Sequence, residues 1–230
     1  PLVTLRSMPF QLPSSLTPSK VASFKDCALA FRFSVIDRLP EPPSAPAMKG
    51  TFVHRVLERL FWELEPGQRT LEAALARLNE EATSFFEGDE YLALGLEDGA
   101  RQLYMNEFEK LVRNYFQLED PNGVHVIGTE LMLEAQVGSM RLRGIIDSLD
   151  LNQDGELVVV DYKTGRAPGA NFENDKLGGV QFYAYLCQEI LGQRPAEVRL
   201  MYLREPVMIS LQPTVQSIKG MQVRAGAVWN

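Results

Sequence analysis

The sequence predicts a mixed α/β (α+β) protein, with a central mixed sheet flanked by helices. Helical periodicity of apolar residues fills most of the first half of the chain. From about Val124 the pattern changes to runs rich in β-branched residues, separated by turn residues. A further helical segment and two more strand-like runs follow. This order of elements favours one sheet with helices packed against it.

The composition is that of a globular protein and excludes several other classes. The chain has 230 residues, of which 45% are hydrophobic and 23% charged. Its net charge of −7 argues against a protein that coats nucleic acid with its whole surface. We expect no membrane partner, because no apolar run reaches the ~18 residues that a span needs. Two cysteines are too few for a disulfide scaffold and favour a reducing, cytoplasmic setting.

The first half of the chain is predicted to be helical. In LTPSKVASFKDCALAFRF, Thr17 suits an N-cap and Pro18 the first helical position. The Pro-rich stretch 39–47 is predicted to be a linker. KGTFVHRVLERLFWEL has apolar residues at helical spacing, and two more amphipathic helices are predicted at 70–87 and 98–118. Together these helices form a helical segment over about 48–118.

The second half of the chain is predicted to form a sheet core at about 124–211. Three strands joined by turns at Gly138-Ser139 and NQDGE form hairpins. KLGGVQFYAYLCQEILG predicts a helix, and AEVRLMYLRE and PVMISLQ two further strands. The last helix starts at Pro213 and stops without a cap, and the chain begins with Pro1. We therefore expect one domain over 1–230, taken from a longer natural chain.

Two aspartates and a lysine are predicted to meet at one end of the sheet. Asp161 and Lys163 are two residues apart on a strand, so they share a face. The hairpin turn folds Asp147 back to about one register position from Asp161. Two close carboxylates repel each other unless a cation lies between them. The pattern therefore favours a site for Mg²⁺ or Mn²⁺, with a lysine that orients or deprotonates water, or stabilises charge on a phosphate.

The spacing is also compatible with two other interpretations. A surface hairpin with a cross-strand Asp–Lys pair would contribute less than about 1 kcal/mol. DLNQDGELVVVD, from Asp150 to Asp161, matches several positions of an EF-hand Ca²⁺ loop. An EF-hand needs a helix on each side, whereas these flanks are strand-like, so a hairpin turn is favoured.

The motifs GIIDSLDL, GELVVVDYKTG and GVQFYAYL, in this order, resemble the PD-(D/E)xK nucleases of the RecB type, which include the CRISPR adaptation nucleases. The resemblance runs from about residue 17 to 203. It implies a restriction-endonuclease-like core and catalytic roles for Asp147, Asp161, Lys163, Gln181 and Tyr185. Gln181 and Tyr185 are i,i+4 neighbours on one helix face. Taken alone, Gln181 also fits a solvated residue and Tyr185 a core residue.

The resemblance further implies a metal site. GTFVHRVLERL supplies His54 as a helix-borne ligand, and Glu130 matches a glutamate early in the family's first strand. With Asp147 and Asp161 these residues would hold the ion. Taken alone, His54 fits a structural residue beside the apolar stripe, and Glu130 a residue on a strand edge. The remaining histidine, His125, has no motif around it and is expected to be a bystander.

The resemblance raises a separate question at Cys27. In the family, a cysteine at the end of SKVASFKDC commonly joins three others near the C-terminus to ligate a [4Fe–4S] cluster. Those three are absent from this chain, and Cys187 lies in a different helix. Because four thiolates are needed, a cluster is expected only in a longer natural chain. In the sequence at hand, Cys27 is predicted to be a small core residue.

The resemblance implies a Mg²⁺- or Mn²⁺-dependent deoxyribonuclease that acts in DNA repair, recombination or processing. DNA is the expected partner, as single strands or ends cut by an exonuclease, with a helicase or other repair protein as a further partner. The alternative is a non-catalytic nuclease-like module for DNA binding or helicase assembly. Four cations are candidate contacts for DNA phosphates, although each taken singly fits an ordinary surface residue better: Arg141, Arg143, Arg166 and Lys176.

Overall fold

The fold is a five-stranded sheet between two layers of helices. The structure is a computed structural model, and it describes residues 12–97, 99–169 and 178–229. The helices are α1 Pro18–Asp26, α2 Ala28–Phe31, α3 Ala45–Glu63, α4 Leu71–Glu87, α5 Asp89–Leu92, α6 Ala100–Leu118, α7 Gly178–Leu191 and α8 Val215–Trp229. The strands are β1 His125–Val137, β2 Met140–Leu151, β3 Leu157–Lys163, β4 Glu197–Tyr202 and β5 Val207–Leu211.

The sheet has the strand order β1-β2-β3-β4-β5, in which only the β3–β4 pair is parallel. Tight turns join β1 to β2 and β2 to β3. In these turns Gly138 and Gly155 have φ of +60° and +76°, a conformation that glycine adopts without steric cost. The predicted mixed α/β fold with hairpins is therefore confirmed.

Two hydrophobic cores lie on opposite faces of the sheet. Val158, Val160 and Tyr162 of β3 pack into the core formed with α3, α4 and α6. The alternate residues of the same strand, Leu157 and Val159, pack into the core formed with α7 and α8. Burial of β3 on both faces explains why its sequence is a continuous apolar run rather than an alternating pattern. The side chain of Asp161 lies on the same face of β3 as Leu157 and Val159, the face toward α7.

The first predicted helix is interrupted at Cys27. Thr17 caps α1 as predicted, since its hydroxyl accepts a hydrogen bond from the N–H of Lys20. At Cys27 the backbone turns extended, with φ of −159°, and its Sγ accepts a hydrogen bond from Ala30 N–H, which caps α2. A π-helical turn, Arg32–Ile36, follows. The prediction of Cys27 as a core residue is wrong: it is exposed.

The Pro-rich linker prediction over 39–47 is partly wrong. Helix α3 begins at Ala45, inside that stretch, with Pro46 in its first turn. Proline is tolerated there because the first N–H groups of a helix have no intrahelical partner. In the part of the chain that is described, no helix combines the length and hydropathy that crossing a bilayer requires.

Candidate active site

Strands β2 and β3 pair over only part of their length and then diverge. Their ladder runs from Leu151 opposite Leu157 to Ser148 opposite Val160. Beyond this point the free edge of β2 pairs with the chain before α1, where Leu16 donates to the carbonyl of Arg141 and accepts from the N–H of Arg143, both at 2.8 Å. The opening between the two strands is a cavity of about 610 Å³, here termed the fork cleft.

Three carboxylates form a row across the sheet at the point where the strands diverge. Thr129 pairs with Ser148 and Leu131 with Ile146, which places Glu130 opposite Asp147. One position beyond the last β2–β3 pair, Asp147 lies opposite Asp161. The predicted approach of Asp147 to Asp161 is thus present in the structure. A hydrogen bond from Tyr162 N–H to Asp147 Oδ2, 2.7 Å long, lies where the strand ladder ends.

The backbone is irregular at two of these carboxylates. Up to Ile146, the even-numbered side chains of β2 pack toward α7, whereas beyond Asp147 the odd-numbered Leu149 does so. Opposite this shift, Glu130 has φ of +47°, in the left-handed region that residues with a Cβ avoid. Backbone strain of this kind costs about 1–3 kcal/mol and is common at functional sites.

Helix α3, which packs on the face of the sheet opposite α7, places His54 beside this row of carboxylates. Its Nε2 lies 3.0 Å from the carbonyl oxygen of Tyr162. Because a carbonyl only accepts, Nε2 carries the proton, and in the neutral ring Nδ1 presents a lone pair. That Nδ1 lies 3.5 Å from Asp147 Oδ1 and 3.9 Å from Glu130 Oε1. One ligand atom from each of the three residues lies within 4.8 Å of the others.

The electrostatics of this group suit a divalent cation. Burial lowers the pKa of His54, which favours the neutral ring, although Glu130 opposes the shift. Burial, together with Asp161, raises the pKa of Asp147 to about 7. Burial and Asp147 also raise the pKa of Glu130. An imidazole lone pair and two partly desolvated carboxylates that converge are a donor set that fits such an ion.

Asp161 lies beside this group and contacts Lys163. Asp161 is buried, and its Oδ2 lies 2.5 Å from Lys163 Nζ. Burial acts to lower the pKa of Lys163, but Asp161 and then Asp147 outweigh it, so the pKa is raised. Lys163 is therefore an ammonium group at neutral pH. Of the predicted metal ligands, the structure brings His54, Glu130 and Asp147 into the close group.

Helix α7 presents a different residue to the cleft from the two expected. Gln181 Oε1 accepts a hydrogen bond from Arg224 of α8. Tyr185 is 1% exposed and packs in the α7–α8 core, as its alternative interpretation predicted. Tyr183, two residues from each, lines the fork cleft with Asp161 and Lys163. Burial and the three carboxylates raise the pKa of Tyr183.

A close helix–strand approach holds Tyr183 in place. Gly144 of β2 lies directly beneath α7. A Cβ at this position would lie 2.8 Å from Leu186 Cδ1 and 3.0 Å from Tyr183 Cε1. The sequence carried a signal for this contact, because a glycine inside a strand is typical of a close approach. It did not indicate that Tyr183 is the residue above it.

The Ca²⁺-loop interpretation of 150–161 does not agree with the structure. The flanks are β2 and β3, with Asp150 paired to Val158, rather than two helices. Asn152 Oδ1, at a would-be ligand position, accepts hydrogen bonds from the backbone N–H groups of Asp154 and Glu156. The segment is a hairpin turn, as the flanking sequence favoured.

The remaining predicted residues have varied environments. Arg141 pairs with Glu134 at 2.6 Å, whereas Arg143 lines the fork cleft. Arg166 is exposed, and Lys176 lies outside the described residues. Cys187 is fully buried in the α7–α8 core, and burial raises the pKa of its thiol to about 12.

Comparisons with known proteins agree with the fold and with the family that the sequence resembles. Residues 15–221 match the PD-(D/E)XK nuclease superfamily. The Gene 69 protein of Mycobacterium phage D29 is 28% identical over 177 residues, which are 67% of this chain and 64% of the phage protein. One subunit of an ATP-dependent helicase/deoxyribonuclease of Streptococcus agalactiae is 28% identical over 169 residues, which are 70% of this chain but 15% of the streptococcal protein.

A solved structure has the same fold. A proposed exonuclease from Eubacterium rectale superposes with a TM-score of 0.54 at 12% identity, covering 93% of this chain and 78% of the other. At this identity the likeness concerns the fold alone. The chain thus spans a little under two thirds of the phage protein and about one seventh of the streptococcal protein.

Proposed function

The chain belongs to the PD-(D/E)XK nuclease superfamily, and from this premise we propose that it is a metal-dependent deoxyribonuclease that hydrolyses phosphodiester bonds. The observation that carries the proposal is the convergence of His54 Nδ1 with the carboxylates of Glu130 and Asp147. Mg²⁺ or Mn²⁺ suits such a hard, oxygen-rich donor set.

The proposed ligands are His54, Glu130, Asp147 and Asp161. Asp161 is included because it lies opposite Asp147 in the strand register. If Asp161 bound an ion, the ion would replace part of the contact between Asp161 and Lys163. When bound, the ion would polarise the phosphate and lower the pKa of a bound water. Tyr162 holds Asp147 and His54 in place through its N–H and its carbonyl.

Lys163 is proposed to act as a cation rather than as a base. Its raised pKa keeps the ammonium charged, so it can orient the attacking water or stabilise negative charge on the phosphate. Gln181 and Tyr185, expected to be catalytic, are assigned a positioning role for α7, because they contact α8 and the core behind the cleft.

DNA as the substrate, and a helicase as a partner, are supported by the names of relatives. The streptococcal relatives combine a helicase with a deoxyribonuclease in their name. Exonuclease action on single strands or DNA ends, and a role in DNA repair, are part of the same proposal. So is a cytoplasmic location, which suits two free cysteines.

Cleavage of labelled single- and double-stranded DNA, with Mg²⁺, Mn²⁺ or EDTA, tests the proposal. Wild-type protein should cleave only with a divalent cation, and Asp161→Asn and Lys163→Met should each lose at least about 100-fold in rate. Asp154→Asn, in the exposed hairpin turn, is the matched control and should cleave normally. Cleavage that survives EDTA, or activity in both variants, would refute the assignment. Binding without cleavage under any condition would favour the non-catalytic module.

A further inference from the structure

Two cations, Lys20 and Arg143, line the α1 side of the fork cleft, and Arg38 is a third cation whose charge acts on Lys20. The pKa of Lys20 is lowered by burial, by Arg38 and by Arg143. Lys20 Nζ donates a hydrogen bond to the carbonyl of Ser15. Among the described residues, no carboxylate lies within 4.0 Å of the charged nitrogens of these three side chains. Lys20, Arg38 and Arg143 are here termed the basic cluster.

The surroundings of the basic cluster add to its positive potential. The first turn of α1, Thr17 to Lys20, lines the same cavity, and the amino end of a helix carries a partial positive charge. Arg38 has φ of +52°, a left-handed conformation that costs about 1–2 kcal/mol for a residue with a Cβ. Arg38 and Arg143 are exposed, whereas Lys20 is half-buried and lies near both positive charges, a repulsion that a bound anion would relieve.

The cluster is placed on one side of the carboxylates. Asp161 and Lys163 form the β3 wall of the fork cleft, whereas Arg143 and the start of α1 form the opposite wall. Tyr183 and the exposed Ile145 lie along the same cavity and offer apolar surface between these walls. A chain of phosphates that passes Asp161 would meet the basic cluster on the α1 side of the cleft, across from Lys163.

We propose that the basic cluster is a subsite for a backbone phosphate that flanks the scissile phosphate of DNA on the α1 side. The identity of the ligand rests on the proposed function; the presence of an anion subsite does not. Because the basic cluster lies on the α1 side of the carboxylates, substrate that extends toward α1 binds more tightly than substrate that ends at the carboxylates. With this subsite, the affinity for DNA depends on how far the strand extends from the cleavage point toward α1.

Binding of a fluorescent oligonucleotide in EDTA, measured by anisotropy, tests this proposal without cleavage. Lys20→Gln, Arg38→Gln and Arg143→Gln should each weaken binding roughly three- to tenfold and reduce the slope of log K against log salt by about 0.7. Lys110→Gln, an exposed cation on α6, is the matched control and should change neither value. Arg38→Lys and Lys20→Arg keep the charge and should bind nearly as wild type, which separates loss of charge from loss of folding.

Oligonucleotides with one methylphosphonate at a time locate the contact. One neutral linkage, on one side of the cleavage point, should weaken binding to wild type but have little further effect on Arg143→Gln. Equal binding by wild type and all three Gln variants, with unchanged salt slopes, would overturn the subsite. The subsite would also be overturned if each methylphosphonate, at any linkage, weakened binding to the wild type and to Arg143→Gln by additive amounts. Failure to cleave DNA would contradict only the nuclease proposal, since these measurements need no catalysis.

Discussion

The carbonyl oxygen of Tyr162 lies 3.0 Å from Nε2 of His54. The N–H group of the same residue donates to Asp147, so one residue of β3 orients a side chain from α3 and another from β2. Both contacts use the main chain of Tyr162, which keeps its own ring buried in the core below. The positions of two proposed ligands therefore depend on how β3 packs, and not on the identity of a further side chain.

Loss of the imidazole should weaken metal binding. His54→Ala removes the lone pair that faces Asp147 and Glu130, and we expect the affinity for Mn²⁺ to fall at least about tenfold. Isothermal titration of Mn²⁺ into the protein without DNA measures this. His125→Ala, an exposed histidine on β1, is the control and should bind Mn²⁺ as wild type does. Equal affinity of wild type and His54→Ala would exclude the histidine as a ligand.

The buried carboxylates should make the metal-free protein less stable than it could be. Asp147 is desolvated and lies opposite Asp161, so Asp147→Asn should raise the metal-free free energy of unfolding at pH 8 by about 1–3 kcal/mol. Mn²⁺ should raise the melting temperature of wild type but not of this variant, since a ligand stabilises only the state that binds it. Thermal melts with and without Mn²⁺ check both effects. A variant that melts below wild type in EDTA, or that keeps the response to Mn²⁺, would contradict the expectation.

Much of the site could be predicted because its residues lie on strands. The alternation of side chains places Asp161 and Lys163 on one face, and a short hairpin then determines where Asp147 falls. The motif order of the family added His54 and Glu130. Strand register is short-range information, so a sequence carries it well. The coordination roles themselves remain predictions.

The face of α7 could not be predicted in the same way. Gln181, Tyr183 and Tyr185 lie within a mostly apolar stretch of α7, and the hydrophobic pattern does not indicate which of the three faces the cleft. Its rotation depends on Gly144 beneath it and on α8, which are distant in sequence. Likewise, hydrophobic periodicity gives no signal for the extended backbone at Cys27 or for the left-handed conformation of Glu130.

A methyl group at Gly144 should disturb the contact between β2 and α7. Gly144→Ala places its Cβ against buried Leu186 and the Tyr183 ring, and overpacking of this kind costs about 1–3 kcal/mol. Urea denaturation should show this loss. Gly226→Ala in α8, where a Cβ would meet nothing within 4 Å, should be neutral or slightly stabilising. A Gly144→Ala protein as stable as wild type would show that α7 can move away without cost.

A buried carboxylate away from the proposed metal site should make stability depend on pH. Asp150 of β2 is 3% exposed and accepts a hydrogen bond from Ser148 Oγ at 2.6 Å. Burial raises its pKa to about 7; Glu119 adds to the shift, whereas Ser148, Arg199 and Arg69 oppose it. Between the ordinary value of 3.8 and about 7, the folded protein therefore holds a proton that the unfolded chain has released.

This difference in proton binding makes the folded state lose stability as the pH rises from about 4 to about 7, and no further loss follows above that range. Asp150→Asn keeps a neutral side chain at every pH, so its stability relative to wild type should increase over the same interval, by about 1.4 kcal/mol per unit of pKa shift at most. Urea denaturation at pH 5, 6, 7 and 8 measures the difference. Asp154→Asn, in the exposed turn, should follow the wild-type profile. If Asp150→Asn and wild type change in parallel across this range, the proton held by the folded protein belongs to another group.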